Sequence, residues 1–136
     1  PSNTTVYLAP GAVVKAKLLI DKAENVRIIG RGILDHPLRG IEVTYSKNVL
    51  VDGITIVNPD HYTVFGGETT GLTIKNLKSF SCKGWSDGID LFMHIVGIIT
   101  AEVKISLYRT LSFGLILHTL SISADMAIRR MKWERQ

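Results

Sequence analysis

The chain of 136 residues is 46% hydrophobic and 21% charged, the composition of an ordinary globular domain long enough for one real core. Its net charge of +4 is unevenly placed, with ten Lys/Arg against nine Asp/Glu in residues 1–90 and six against three in residues 91–136. The front of the chain is therefore almost neutral, which argues against a nucleic-acid binder, and Arg129-Arg130-Met131-Lys132 reads as a solvated basic tail.

Other classes fall away quickly. Cys82 is the only cysteine, so no intrachain disulfide can form, and its regular β-patterned surroundings predict a small buried core residue. The longest apolar stretches, Ile89 to Ile99 and Leu111 to Ile122, are too short to span a bilayer and contain His94 and His118, so no membrane partner is expected. No basic-then-apolar leader follows Pro1, and no signal peptide is visible.

Along the chain, Val6-Tyr7-Leu8-Ala9-Pro10-Gly11-Ala12-Val13-Val14 opens as a strand, a Pro-Gly corner and a second strand. The pattern then repeats. Asn25-Val26-Arg27-Ile28-Ile29-Gly30, Asn48-Val49-Leu50-Val51-Asp52-Gly53 and Gly71-Leu72-Thr73-Ile74-Lys75-Asn76 begin 23 residues apart. Within each block the apolar residues alternate, as they must in a strand with one buried face. A shorter strand follows each block, at Gly32-Ile33-Leu34, Ile54-Thr55-Ile56-Val57 and Leu77-Lys78-Ser79-Phe80. Gly30, Gly53 and Asn76 stand between the two strands, where a sharp corner needs left-handed backbone.

Hairpins would reverse the strands, and a βαβ unit needs a helical segment that the sequence lacks. A coil returning to the same place every 23 residues would instead stack Val26, Val49 and Leu72 in one column and Ile28, Val51 and Ile74 in a second. The expected fold is all-β, a right-handed parallel β-helix over residues 1–90, followed by an irregular segment over 91–136. Adding 23 to Leu72, Ile74 and Asn76 gives Ile95, Gly97 and Ile99, which do not continue the columns. Two readings of 91–136 stay open, a divergent cap or a segment whose reading frame has changed.

Three motifs carry a family likeness: Val6-Tyr7-Leu8-Ala9-Pro10-Gly11-Ala12, Arg27-Ile28-Ile29-Gly30-Arg31-Gly32-Ile33-Leu34-Asp35, and Ser86-Asp87-Gly88-Ile89-Asp90. From residue 6 to about 91 the chain resembles the opening half of glycoside hydrolase family 28, the polygalacturonase family, whose fold is a pectin-lyase-like β-helix. That resemblance implies an extracellular or periplasmic enzyme, without metal or cofactor, that hydrolyses glycosidic bonds of a pectin-like polysaccharide with inversion. Ser86-Asp87-Gly88 matches the family's Asn-Thr-Asp-Gly signature at Asp and Gly, with Ser86 for the Thr and Trp85 for the Asn. The resemblance makes Asp87 the carboxylate that helps activate water and Asp90 a supporting residue. The family's Asp-Asp pair, Gly-His-Gly and Arg-x-Lys, due about one rung later, have no counterpart in this chain.

Residues around the motif complete the expected site. Trp85 is a candidate for stacking on a sugar face, and His61, Tyr62 and Phe65, on the long connection before Asp87, either line the same groove or merely cover a loop. Asp35 and Asp52 read as turn residues, and no His/Cys/Asp cluster has metal-ligand spacing. A calcium-dependent lyase would want an acidic cluster that is not present. Two functions remain: an inverting polygalacturonase-like hydrolase, or a non-catalytic β-helix module or inactive fragment that binds glycans.

Overall fold

The protein is described by a computed structural model that covers residues 1–83, 86, 88–92, 99–101, 103–111 and 114–122. Every element among these residues is a strand, and all but the last pair run in parallel. Each rung of the coil contributes one strand to each of three sheets.

Sheet A stacks β1 (Thr5–Leu8), β4 (Glu24–Gly30), β7 (Lys47–Asp52), β10 (Thr70–Lys75) and β13 (Ile99–Ala101) in that order. Sheet B stacks β2 (Val13–Val14), β5 (Ile33–Asp35), β8 (Thr55–Val57), β11 (Lys78–Ser81), β14 (Val103–Leu111) and β15 (Gly114–Ile122). Sheet C stacks β3 (Leu18–Asp21), β6 (Ile41–Thr44), β9 (Val64–Gly67) and β12 (Ile89–Phe92). The fold is a parallel β-helix, as the repeat predicts. Val26 lies opposite Val49 and Val49 opposite Leu72, while Ile28, Val51 and Ile74 form the second column. All six are buried, because alternate side chains of sheet A face the coil interior.

The sequence reading found two strands per rung, and the structure has three. Sheet C occupies a stretch that reads in the sequence as connection. Its inward residues are Ile41 over Val64 over Ile89 and Val43 over Gly66 over Leu91. Phe65 therefore sits on a strand rather than on a loop.

The corners explain the repeat's polar positions. Asn25, Asn48 and Gly71 all have positive φ, as does Asn3 one rung earlier. The asparagine amides form a ladder, Asn25 Nδ2 donating to Asn3 Oδ1 at 3.0 Å and Asn48 Nδ2 to Asn25 Oδ1 at 2.7 Å. Asparagine suits the place twice, tolerating the left-handed backbone and supplying both a donor and an acceptor along the axis. At the next corner Gly53 has φ of 86°, and a Cβ there would stand 2.3 Å from the Gly30 carbonyl oxygen. Only a residue without a Cβ fits so close to the rung below. The Pro10-Gly11 corner is also present, closed by Ala12 N–H donating to the Ala9 carbonyl at 3.0 Å.

From β12 onward parallel pairing continues on a longer step. Val64 lies opposite Ile89 and Thr73 opposite Ile99, offsets of 25 and 26 where Ile41 to Val64 is 23. Adding 23 to Ile74 therefore misses its partner, which is Thr100. β14 stacks on β11 with Lys78 opposite Lys104, and β15 folds back antiparallel, pairing Val103 with Ile122 and Leu111 with Gly114.

Cys82 is exposed, not buried as expected. It follows the last residue of β11, where the chain leaves the coil interior, and its N–H donates to Asn58 Oδ1 at 3.2 Å.

Candidate functional site

Sheet C turns alternate side chains outward, and one outward column runs Leu19, Glu42, Phe65, Asp90 through four successive rungs. Around it gather residues from the connections that lead from sheet B into sheet C. These connections span residues 15–17, 36–40, 58–63 and 82–88, growing from three residues to five, six and seven. They are laid on one another by backbone hydrogen bonds. Asp60 N–H donates to Pro37 O at 2.9 Å, Gly40 N–H to Tyr62 O at 3.1 Å, and the Thr63 and Val64 N–H groups to Gly88 O at 3.1 Å each. Gly40 allows this stacking, since a Cβ there would lie 2.2 Å from the Thr63 carbonyl oxygen. An ion pair from Lys83 to Asp60 ties the last two connections together.

Glu42 is the unusual member. It points away from the core yet is only 7% exposed, and a carboxylate so covered needs partners. Lys17 Nζ reaches Oε2 at 2.5 Å and Arg39 Nη1 reaches Oε1 at 2.5 Å. Burial alone would raise its pKa, but the hydrogen bonds and charges of Lys17 and Arg39 outweigh that and hold the carboxyl below the ordinary glutamate range. Glu42 is thus an anion that gathers two cations.

The Arg39 guanidinium carbon lies 5.3 Å from the centre of the Phe65 ring, within cation–π range. Tyr62 stacks on the other aromatic neighbour, its ring 5.7 Å from that of Phe65 with the planes 23° apart. His61 meets Tyr62 edge-on at 4.0 Å. Its buried Nδ1 has no hydrogen-bond partner among the described residues. The arrangement can do two things chemically: offer flat apolar faces to a ring-shaped ligand, and offer cationic N–H donors beside them.

Of the residues expected from sequence, the structure brings His61, Tyr62, Phe65 and Asp90 to one side of the coil, with Asp90 directly opposite Phe65. Asp87 and Trp85 lie outside the described residues. No family model, curated protein or solved structure matches the chain. Its reading therefore rests on its own residues and geometry.

Lys17, Arg39 and Glu42 escaped the sequence reading. A signal existed, because Ile41-Glu42-Val43 has the alternation of a strand and recurs as Ile89-Asp90-Leu91, but no pattern tells a stranded carboxylate apart from an ordinary surface one.

Other polar groups near the motif serve the fold. Ser86 is buried, its hydroxyl bonding Ser81 Oγ and donating to Lys83 O at 2.8 Å, which closes the last connection on itself. Asp52 ends β7 and accepts from Asn76 Nδ2 at 2.9 Å and from Lys75 Nζ at 3.3 Å, on a different sheet. Asp35 pairs with His36 Nδ1 at 2.6 Å at the end of β5. A cavity of about 290 Å³ opens elsewhere, lined by Val6, Leu18, Ile20, Val26 and Ile28. It is the apolar interior of the coil seen from its first rung and offers little to a sugar. Among the described residues no three His, Cys, Asp or Glu side chains are gathered as a metal ion would need.

Proposed function

We propose that this protein is a polygalacturonase-like glycoside hydrolase, extracellular or periplasmic, which binds a pectin-like polysaccharide along the outer face of sheet C. One observation carries the reading. The aromatic and cationic groups of Tyr62, Phe65 and Arg39 share a face with Asp90, the last residue of the Ser86-to-Asp90 motif that resembles the family's catalytic signature. Inverting hydrolysis needs one carboxylate to activate water and a second carboxyl group to protonate the leaving oxygen, about 6.5–9.5 Å apart. Asp87 takes the first role in this proposal and Asp90 supports it.

A second reading, a glycan-binding β-helix without hydrolysis, is favoured by the state of Glu42. Held ionised by Lys17 and Arg39, it has no proton to give at neutral pH and cannot be the missing acid. Release of reducing ends from polygalacturonate by the purified chain, compared with Asp87→Ala, tests the two together. Weak release that disappears in Asp87→Ala supports a hydrolase short of its acid. Binding of polygalacturonate without any release leaves the binding module, and no binding ends both.

A further inference from the structure

We propose that Lys17 and Arg39, yoked by Glu42, form a separate subsite that takes the carboxylate of an acidic sugar unit, two rungs from Asp90. This deepens the polysaccharide reading above and rests on it.

Two cations share one carboxylate, so the group keeps a net positive charge. Of the acids on this side, Asp60 is engaged by Lys83; Asp21 accepts a hydrogen bond from Thr44 and keeps its charge, and Asp90 stands two rungs away, while Glu42 is the carboxylate bonded to both cations. Glu42 uses only part of each donor set. A guanidinium carries five N–H groups and an ammonium three, and within the described residues the side-chain hydrogen bonds of Arg39 and Lys17 go to Glu42 alone.

What remains points outward from side chains that are more than a third exposed, although their common anchor is buried. Such an arrangement is preorganised. Arg39 is held at its tip by Glu42 and across its face by Phe65, so little freedom is lost when an anion arrives.

The position also has meaning. Glu42 lies opposite Phe65 and Phe65 opposite Asp90, and strands pair about 4.8 Å apart, so the clamp sits roughly 10 Å along the axis from Asp90. A pyranose ring is about as long as one strand spacing. The carboxylate bound here therefore belongs to a different sugar unit from the one beside Asp90, and the Phe65 and Tyr62 rings bridge the interval.

Titration calorimetry of the full chain with a galacturonate oligomer and with its fully methyl-esterified form tests the subsite. The free acid should bind about tenfold more tightly than the ester, the value of one charge-assisted contact. Lys17→Gln should abolish most of that preference while leaving the affinity for the ester unchanged, and Lys17→Arg should restore it. Arg39→Gln should do the same; if it lowers the thermal midpoint, the exposed Lys17 still decides the matter. Equal affinity of the native chain for acid and ester, or a preference that survives Lys17→Gln, would overturn the subsite and leave the glycan reading standing. Failure to bind either oligomer would remove the glycan reading, and the subsite with it.

Discussion

The corners and the connections of this coil are built to different rules. In the first three passages from sheet C to sheet A the chain takes two residues, 22–23, 45–46 and 68–69. Between sheets A and B it takes two in the second, third and fourth rungs, 31–32, 53–54 and 76–77. Over these same rungs it is the passage from B to C that varies, lengthening each time from 15–17 to 82–88. The fixed corners and the strand ends beside them carry positive-φ residues in vertical register: Lys22, Tyr45 and Glu68, then Asn25, Asn48 and Gly71, then Gly30, Gly53 and Asn76. The varying passage carries Lys17, Arg39, His61 and Tyr62, with Trp85 and Asp87 next in sequence. Parallel stacking forces uniformity where two sheets meet tightly and tolerates growth where the chain swings outward. The fold is held in the first region, and recognition groups accumulate in the second.

That division can be broken at several points. The largest effect is expected from Gly53→Ala, which puts a Cβ against the Gly30 carbonyl at a φ of 86°. Strain and overlap together should cost about 3 kcal/mol of unfolding free energy in urea titration. A loss under about 1 kcal/mol would mean that the corner yields easily and that uniform corner length has another cause. Asn25→Ala should cost about 2 kcal/mol, by losing the amide ladder and by forcing alanine into left-handed backbone. Asn25→Gly keeps the backbone and removes only the ladder, so it should cost about half as much. Equal losses in the two variants would show that the amides contribute everything and the backbone nothing.

The smallest effect concerns Glu42 and has a defined sign. Its carboxyl holds a proton less tightly in the folded chain than in the unfolded one, because Lys17 and Arg39 favour the anion over the cost of burial. The unfolded chain therefore takes up more protons as pH falls. The stabilisation is fully present above the ordinary glutamate value of about 4.3 and is lost as pH drops below it. The thermal midpoint of the native chain should accordingly fall more steeply between about pH 5 and pH 3 than that of Glu42→Gln. Parallel curves would remove Glu42 from the list of groups that link the connections to the sheet.

The sequence made β4, β7 and β10 of sheet A legible because their inward residues alternate within each strand and recur at one step of 23. Sheet C was missed for a physical reason. Its strands are short, and Val64-Phe65-Gly66-Gly67 carries glycine both in the inward column, at Gly66, and on the outer face, at Gly67, so the segment reads as a loop. The third strand becomes visible once Ile41-Glu42-Val43 and Ile89-Asp90-Leu91 are set beside it. The site was half legible. Aromatic and imidazole groups announced themselves near the motif, whereas Lys17, Arg39 and Glu42 are joined only by the coil, through separations that no local pattern encodes. Cys82 misled because the strand before it does bury small residues, Ser79 and Ser81, and the chain turns outward one residue later.

The ladder spacings bear on how such a molecule is made. Parallel partners lie between 20 positions apart, as in Val13 with Ile33, and 26, as in Thr73 with Ile99. Every rung therefore needs only the next stretch of chain to complete its pairing, and a longer coil would not lengthen any single search. The slow event is the first docking of two rungs, which closes a loop of some twenty residues before any column exists to reward it. After that, growth proceeds by nearest-neighbour addition. On the ribosome, where the amino-terminal part emerges first, the β1–β4 pair can be in place before the carboxy-terminal strands have been synthesised.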